Sequence, residues 1–204
     1  MTKPWEKLAS DQAIQKTAAA LTSNGMTALV VNNGAEAKAK VLEQIPAGVE
    51  VMNMTSVTLD TIGLSEELRS ERFNSVRRKL EQMNRAMQSA EMQRIGAAPE
   101  WVVGSVHAVT TDGHVLIASN TGSQLPAYAS GAANVIWVVG AQKIVKDTAA
   151  GLQRIYEYTL PLESERARKA YHVPGSNVSK ILIVNQEIKP GRVTVLIVKE
   201  VLGF

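Results

Sequence analysis

Short aliphatic runs alternate along this chain with segments whose apolar residues recur at helical spacing. The aliphatic runs are typical of strands buried in a sheet, and the 3–4 residue spacing is typical of helices packed on it. Predicted strands are 27–31, 49–52, 101–109, 114–119, 134–139, 180–184 and 192–198. Predicted helices are 10–23, 35–45, 55–64, 70–95, 147–158 and 161–171, with a short one after Pro126. This order predicts an α/β fold: a mostly parallel sheet with flanking helices plus β-hairpins.

The most regular apolar stripe lies in the predicted helix 70–95, which we expect Ser65 to precede as a cap and Gly96 to end. The stripe consists of Phe73, Val76, Leu80, Met83, Met87 and Ala90. Packing on the sheet is one interpretation. A dimer seam, and hence a homodimer, is the other.

Two hairpins are predicted from turn residues. Asp112-Gly113 favours a two-residue type I′ turn, which pairs Val109 with Leu116 and His107 with Ala118. Side-chain alternation then places Ser105, His107, Ala118 and Asn120 on one face. Pro190-Gly191 is expected to join the last two strands in the same way.

Composition narrows the class of protein. The 204 residues suit a single domain over 1–204. The chain has no cysteine, which excludes disulfides, thiolate catalysis and iron–sulfur ligation by this chain. Residues 1–6 hold no apolar signal core, and no stretch approaches ~18 uninterrupted apolar residues. We therefore expect a soluble, cytoplasmic protein with no membrane segment.

The positions of the charged residues and histidines argue against three kinds of site. The net charge is only +3, and the basic residues between 69 and 85 alternate with glutamates, so we expect a solvated helix face and no nucleic-acid partner. His107, His114 and His172 are too scattered to suggest a metal site. From Val115 to Lys146 there is no Asp or Glu, so a carboxylate pair for hydrolysis is missing there.

The strongest local signal for ligand binding is Asn120-Thr121-Gly122-Ser123-Gln124, which follows a predicted strand and precedes a short helix. Successive backbone N–H groups in such a loop can converge on an anion, and Gly122 permits a close approach of the ligand. The alternative interpretation is that Ser123 only caps its helix.

Other strand ends supply further candidates. Asn32, Asn33, Thr55 and Ser56 lie at strand–helix junctions, where open α/β sheets bind ligands, although each can also be a turn or a cap. Lys143 can offer a cation to a carboxylate or phosphate, or be an ordinary solvated lysine. His107 is the candidate general base, with a hydrogen-bonded structural role as its alternative.

Four segments resemble the LUD-domain family of bacterial lactate-utilisation proteins over about residues 10 to 160. They are 52–64, the turn 110–113, Ala118-Ser-Asn-Thr-Gly-Ser-Gln124 and 133–145. The resemblance implies a NagB/RpiA/CoA-transferase-like fold, similar to sugar-phosphate isomerases and 5-formyltetrahydrofolate cyclo-ligase. It also implies a role in the oxidation of L-lactate to pyruvate, usually as one component of a complex.

The chain departs from parts of that pattern. Longer relatives carry Cys-rich iron–sulfur segments, so electron transfer here would need oxidoreductase subunits that carry the clusters. CoA transferases of the related fold use a glutamate nucleophile in a Gly-rich turn, and the equivalent stretch here has none. No cofactor is expected from the residues themselves.

Three functions follow as hypotheses. The first is an accessory protein of L-lactate oxidation that binds a small anionic metabolite. The second is an enzyme acting on a phosphorylated metabolite or a CoA- or folate-type substrate, with His107 moving the proton. The third is an interaction module that docks an oxidoreductase subunit through the stripe at 73–90. The sequence leaves open whether any reaction is catalysed.

Overall fold

The computed structural model describes residues 4–204, so the prediction about residues 1–6 falls partly outside it. The strands are β1 Thr27–Val31, β2 Glu50–Asn53, β3 Asn74–Ser75, β4 Trp101–Gly104, β5 Ala108–Thr110, β6 Val115–Ser119, β7 Asn134–Gly140, β8 Ile144–Val145, β9 Lys180–Val184 and β10 Val193–Val198. The α-helices are α1 Asp11–Ser23, α2 Gly34–Gln44, α3 Val57–Thr61, α4 Leu64–Glu67, α5 Val76–Glu81, α6 Arg85–Ala97, α7 Thr148–Arg154 and α8 Leu160–Tyr171. In the described range, no helix combines the length and the apolar character needed to cross a membrane.

Shorter helical segments complete the secondary structure. Pro4–Glu6 and Ala141–Lys143 are 3₁₀ turns, and Ala127–Gly131 and Ile155–Thr159 are π-helical turns. The second π turn joins α7 to α8, so the two helices predicted at 147–158 and 161–171 form one continuous helical run. Asp147 caps this run as expected, accepting a hydrogen bond from the Ala150 amide at 2.8 Å.

The large sheet has six parallel strands in the order β1-β10-β7-β4-β2-β3. The predicted α/β fold with a mostly parallel sheet is confirmed. The two strands of the first predicted βαβ unit are indeed parallel, although three other strands lie between them. Helices α2, α3 and α4 cover one face, and α1 together with the second sheet covers the other. Both faces are therefore apolar, which explains the unbroken aliphatic runs.

The second sheet is mixed, with the order β8-β5-β6-β9. Its central strand β6 is buried along its whole length. Val115 and Ile117 belong to the core shared with the large sheet, whereas Leu116 and Ala118 pack in a third cluster with Ala150 of α7. The small sheet therefore lies between the large sheet and α7.

The chain passes directly from the large to the small sheet at two places. Residues 105–107 connect β4 to β5, and residues 141–143 connect β7 to β8. Because β4 and β7 are adjacent and parallel, both connections start at the carboxyl edge of the large sheet. Side chains on these two connections are therefore brought close together.

The single helix predicted over 70–95 is wrong. The segment forms β3, α5 and α6, because Ser75 and Asn84 use their side chains to cap new helices. Phe73 and Val76 are buried as expected, but Met87 is 85% exposed. Ser65 is not a cap, since it lies inside α4, and Gly96 lies inside α6 rather than after it.

The predicted register of the first hairpin is also wrong. Ala108 pairs with Leu116 and Val109 with Val115, and the first predicted strand is split between the two sheets. The loop has three residues rather than two, and of these only Gly113 has a positive φ, 84°. A three-residue loop ending in a left-handed glycine is a common alternative to the type I′ turn and shifts the pairing.

The second predicted hairpin does not form. β9 pairs with β6 at the edge of the small sheet, whereas β10 lies between β1 and β7. The fully buried β10 needs neighbours on both sides, which a hairpin partner alone cannot supply. Arg192 precedes β10 and is itself buried, with Glu187 2.6 Å away as its ion-pair partner.

Candidate functional site

Lys143 is a buried amine at the end of the connection from β7 to β8. The residue is only 2% exposed, so Lys143 is not an ordinary solvated lysine. Its Nζ donates to Thr58 Oγ1 at 2.9 Å and lies 3.1 Å from Ser105 Oγ. Burial, together with the nearby Arg154 guanidinium, holds the pKa of this amine well below its usual range.

Thr58 is oriented by the C-terminal segment. Its hydroxyl donates to the Leu202 carbonyl at 3.2 Å, and Gln142 Nε2 donates to the same carbonyl at 2.9 Å. Because the hydroxyl proton of Thr58 is engaged with Leu202, its oxygen is left to accept from Lys143. The last residues of the chain thus set the direction of one N–H bond of Lys143.

Arg154, at the end of α7, is fully buried. Its Nη1 donates to the His107 carbonyl at 2.5 Å and to Thr159 Oγ1 at 3.1 Å. Its Nε and Nη2 are buried and have no hydrogen-bond partner among residues 4–204. The guanidinium lies 5.1 Å from the centre of the Tyr158 ring, and burial lowers its pKa to about 10. Arg154 therefore stays charged at neutral pH.

His107 lies on the connection from β4 to β5, near both Lys143 and Arg154. Its Nδ1 accepts a hydrogen bond from the Ala118 amide at 3.1 Å, which leaves the proton of the neutral ring on Nε2. Burial, Lys143 and Arg154 lower its pKa to about 3. This arrangement favours a hydrogen-bond donor at Nε2 over a base at Nδ1. The proton-transfer role of His107 stays a prediction.

We call Thr58, Ser105, His107, Lys143 and Arg154 the basic cluster. Across residues 4–204, neither Lys143 nor Arg154 forms an ion pair, and the groups that shift their pKa values include no carboxylate. In the same part of the chain, no three His, Cys, Asp or Glu side chains gather to hold a metal ion. The cluster therefore offers buried positive charge and hydrogen-bond donors at the carboxyl edge of the sheet, where α/β folds bind ligands.

The family model described as the LUD domain matches residues 14–198, which is most of the sequence. The chain belongs to the LUD-domain family. The resemblance inferred from the sequence is thereby confirmed, and the protein is a lactate-utilisation-related domain protein.

A solved structure is similar to this LUD domain in fold. It is the crystal structure at 1.70 Å resolution of a DUF162 family protein from Deinococcus radiodurans, with 11% sequence identity and a TM-score of 0.57. The match covers 94% of this chain and 99% of that one. At this identity the likeness concerns the fold alone. No curated protein matches the sequence.

The predicted anion loop of the LUD domain lies apart from the hydrogen bonds of the basic cluster. The Gly122 amide donates to Ser119 Oγ at 2.8 Å, and the Ser123 amide to Thr121 Oγ1 at 3.3 Å. Asn120 accepts from the Ser179 hydroxyl, and Gln124 donates to the Ala118 carbonyl. The loop follows an antiparallel strand and precedes a π turn of only five residues. Its donors are largely engaged within the protein, and binding there stays a prediction.

The other predicted ligand contacts have local partners. Asn33 caps α2 through the Glu36 amide, and Asn32 bonds to the Glu36 carboxylate, which lowers the pKa of that group. Thr55 accepts from Arg77 at 2.9 Å, and Ser56 caps α3. Of the predicted residues, the structure brings His107 and Lys143 together in the basic cluster. It does not bring Asn32, Asn33 or the 120–124 loop into contact with them.

Sequence reasoning missed Arg154 and Thr58 and gave Ser105 no chemical role. Arg154 stands three residues after Gly151 and four before Tyr158, both buried positions of the same helical run. A charged residue on the apolar stripe of a helix was therefore the available signal. The contact of Thr58 with Lys143 joins distant parts of the chain, so no local sequence pattern indicates it.

Proposed function

We propose that this LUD-domain protein binds a small anionic metabolite at Arg154 and acts as an accessory component of L-lactate oxidation. The observation that carries the proposal is the fully buried Arg154 guanidinium, whose Nε and Nη2 have no hydrogen-bond partner in the described part of the chain. Family membership supports the lactate-utilisation setting. Because the chain has no cysteine, its partners in electron transfer would be oxidoreductase subunits that carry iron–sulfur clusters.

The unpartnered atoms of Arg154 suit a carboxylate or a phosphate. Nε–H and Nη2–H point along one edge of the planar guanidinium and can donate two parallel hydrogen bonds to two oxygens of an anion. The remaining nitrogen, Nη1, is engaged with protein oxygens and holds the plane in place. Arg154 is therefore oriented for bidentate recognition by the protein itself.

A second buried arginine shows how this protein satisfies such a charge when no ligand is needed. Arg192 pairs with Glu187 at 2.6 Å and donates to the carbonyls of Ala127, Tyr128 and Ala132. Every nitrogen of that guanidinium has an acceptor, whereas two nitrogens of Arg154 have none within the residues that the structure describes. An anionic ligand would supply the missing acceptors, with His107 Nε2–H as a neighbouring donor.

Isothermal titration calorimetry tests the proposal. Wild-type protein, Arg154→Met and the exposed control Arg94→Met are titrated with L-lactate, pyruvate, inorganic phosphate, a sugar phosphate and coenzyme A. We expect at least one of these anions to bind the wild type and the control, and to lose at least tenfold in affinity for Arg154→Met. A folded wild-type sample that binds none of them, or an Arg154→Met variant that binds equally well, would contradict the proposal.

A further inference from the structure

Ser105 and Lys143 form a pair that anion binding does not explain. We propose that Ser105 is a nucleophile activated by Lys143, and that the LUD domain hydrolyses an activated ester or thioester. This inference rests on the proposed function in one respect: Arg154 would bind an anionic group of the natural substrate. The reactivity of the serine itself does not depend on that group.

The geometry suits removal of the serine proton. Ser105 Oγ lies 3.1 Å from Lys143 Nζ, within hydrogen-bond reach of a base. A neutral amine has two N–H groups and one lone pair. Thr58 accepts one N–H, because its own hydroxyl proton is engaged with Leu202. The lone pair is then free to accept the Ser105 hydroxyl proton.

The surroundings of Lys143 favour its neutral form. The amine is buried, the charged group that acts on it is Arg154, and His107 beside it is uncharged at neutral pH. A deprotonated amine is thus populated at much lower pH than in a solvated lysine, which is what a general base requires. Serine–lysine pairs are a known variant of the serine–histidine arrangement.

Ser105 is more accessible than its partner. It follows Gly104 at the end of β4 and is half-buried, whereas Lys143 is 2% exposed. Gly104 is required here because a Cβ would stand 1.8 Å from Tyr128 Oη. The strand end therefore packs directly on Tyr128, and Ser105 is the first residue of the connection between the sheets.

The reaction balances without a further reactant besides water. Ser105 Oγ attacks the carbonyl carbon while its proton passes to Lys143 Nζ. The bond from that carbon to the leaving oxygen or sulfur breaks, and the leaving group takes the proton back from Lys143. Water, deprotonated by Lys143, then attacks the acyl-serine, releasing a carboxylic acid and restoring the Ser105 hydroxyl.

Covalent labelling tests the pair. The folded protein is incubated with an uncharged fluorophosphonate ester, which phosphonylates an activated serine and releases fluoride, and the modified peptide is located by mass spectrometry. The variants are Ser105→Ala, Lys143→Met and the control Ser23→Ala, an exposed serine at the end of α1. We expect the adduct on Ser105 in the wild type and the control, no adduct in Ser105→Ala, and labelling at least 100-fold slower in Lys143→Met.

The rate profile of the wild type provides a second readout if Lys143→Met fails to fold. With Arg154 and the neutral His107 facing the amine, the labelling rate should reach its plateau well below pH 10. No adduct on Ser105 in folded wild type, equal rates in a folded Lys143→Met, or a rate still rising above pH 10 would overturn the inference. Anion binding in the calorimetric titrations without labelling would leave the proposed function intact, and labelling without anion binding would refute the proposed function alone.

Discussion

Arg154→Met should leave the stability of the ligand-free protein nearly unchanged, whereas removing a structural buried residue is costly. Burial lowers the Arg154 pKa to about 10, and this fall corresponds to about 3 kcal/mol against the charged form in the fold. Because the folded pKa lies below that of the unfolded chain, this penalty is fully present at neutral pH. Methionine retains much of the apolar stem and removes the charge.

The substitution also has a cost. The two hydrogen bonds from the charged Nη1 to His107 and Thr159 are lost, at about 1.5 kcal/mol each. The two contributions nearly cancel, so the melting temperature should stay within about 2–4 °C of the wild-type value, the shift that 1 kcal/mol produces in a chain of this size. At the same time the variant should lose stabilisation by an anion, which at 100 times Kd amounts to about 2.7 kcal/mol for the wild type.

Differential scanning calorimetry with and without a binding anion measures both effects, and Arg192→Met is the matched control. That substitution leaves Glu187 buried without its cation, so it should destabilise by about 3–5 kcal/mol. If Arg154→Met lowers the melting temperature as Arg192→Met does, Arg154 is a structural residue and the reasoning fails.

Three further predictions concern residues around the site and the corrected helix. Between pH 7 and pH 4, the wild type should lose about 2–3 kcal/mol of its free energy of unfolding in urea, because His107 takes up a proton in the unfolded chain whereas its folded pKa is about 3. His107→Gln should lose clearly less over the same pH range, and an equal loss would contradict a neutral His107 ring in the fold. Gly104→Ala should cost about 2 kcal/mol in thermal unfolding, because the added Cβ meets Tyr128 Oη. The cost should be smaller in a Tyr128→Phe background, and an equal cost in both backgrounds would show that another contact matters. In chemical denaturation, Phe73→Ala should cost about 3–5 kcal/mol and Met87→Ala, at an exposed position, less than about 0.5 kcal/mol. Similar losses for the two variants would support the continuous packed helix that the sequence predicted over 70–95.

The strands and most helix starts could be predicted because their signals are local. Aliphatic runs such as 135–139 and 193–198 have to be buried on both faces, and this requirement alone favours a covered parallel sheet. Asn33 and Asp147 satisfy amides within their own first helical turn, so their capping roles follow from neighbouring residues. The errors at 70–95 and in the two hairpins arose where periodicity or a turn dipeptide was extended to contacts that it does not determine.

What the sequence by itself determined is the class of fold, the LUD-domain resemblance and two members of the site, His107 and Lys143. Only the tertiary structure decided what those residues can do. The crossing from one sheet to the other at 105–107 and 141–143 puts Ser105 beside Lys143, and α7 inserts Arg154 next to His107. Burial then shifts their pKa values and leaves two guanidinium nitrogens without acceptors, because solvation and unmet hydrogen bonds depend on every element packed around a group and not on its neighbours along the chain.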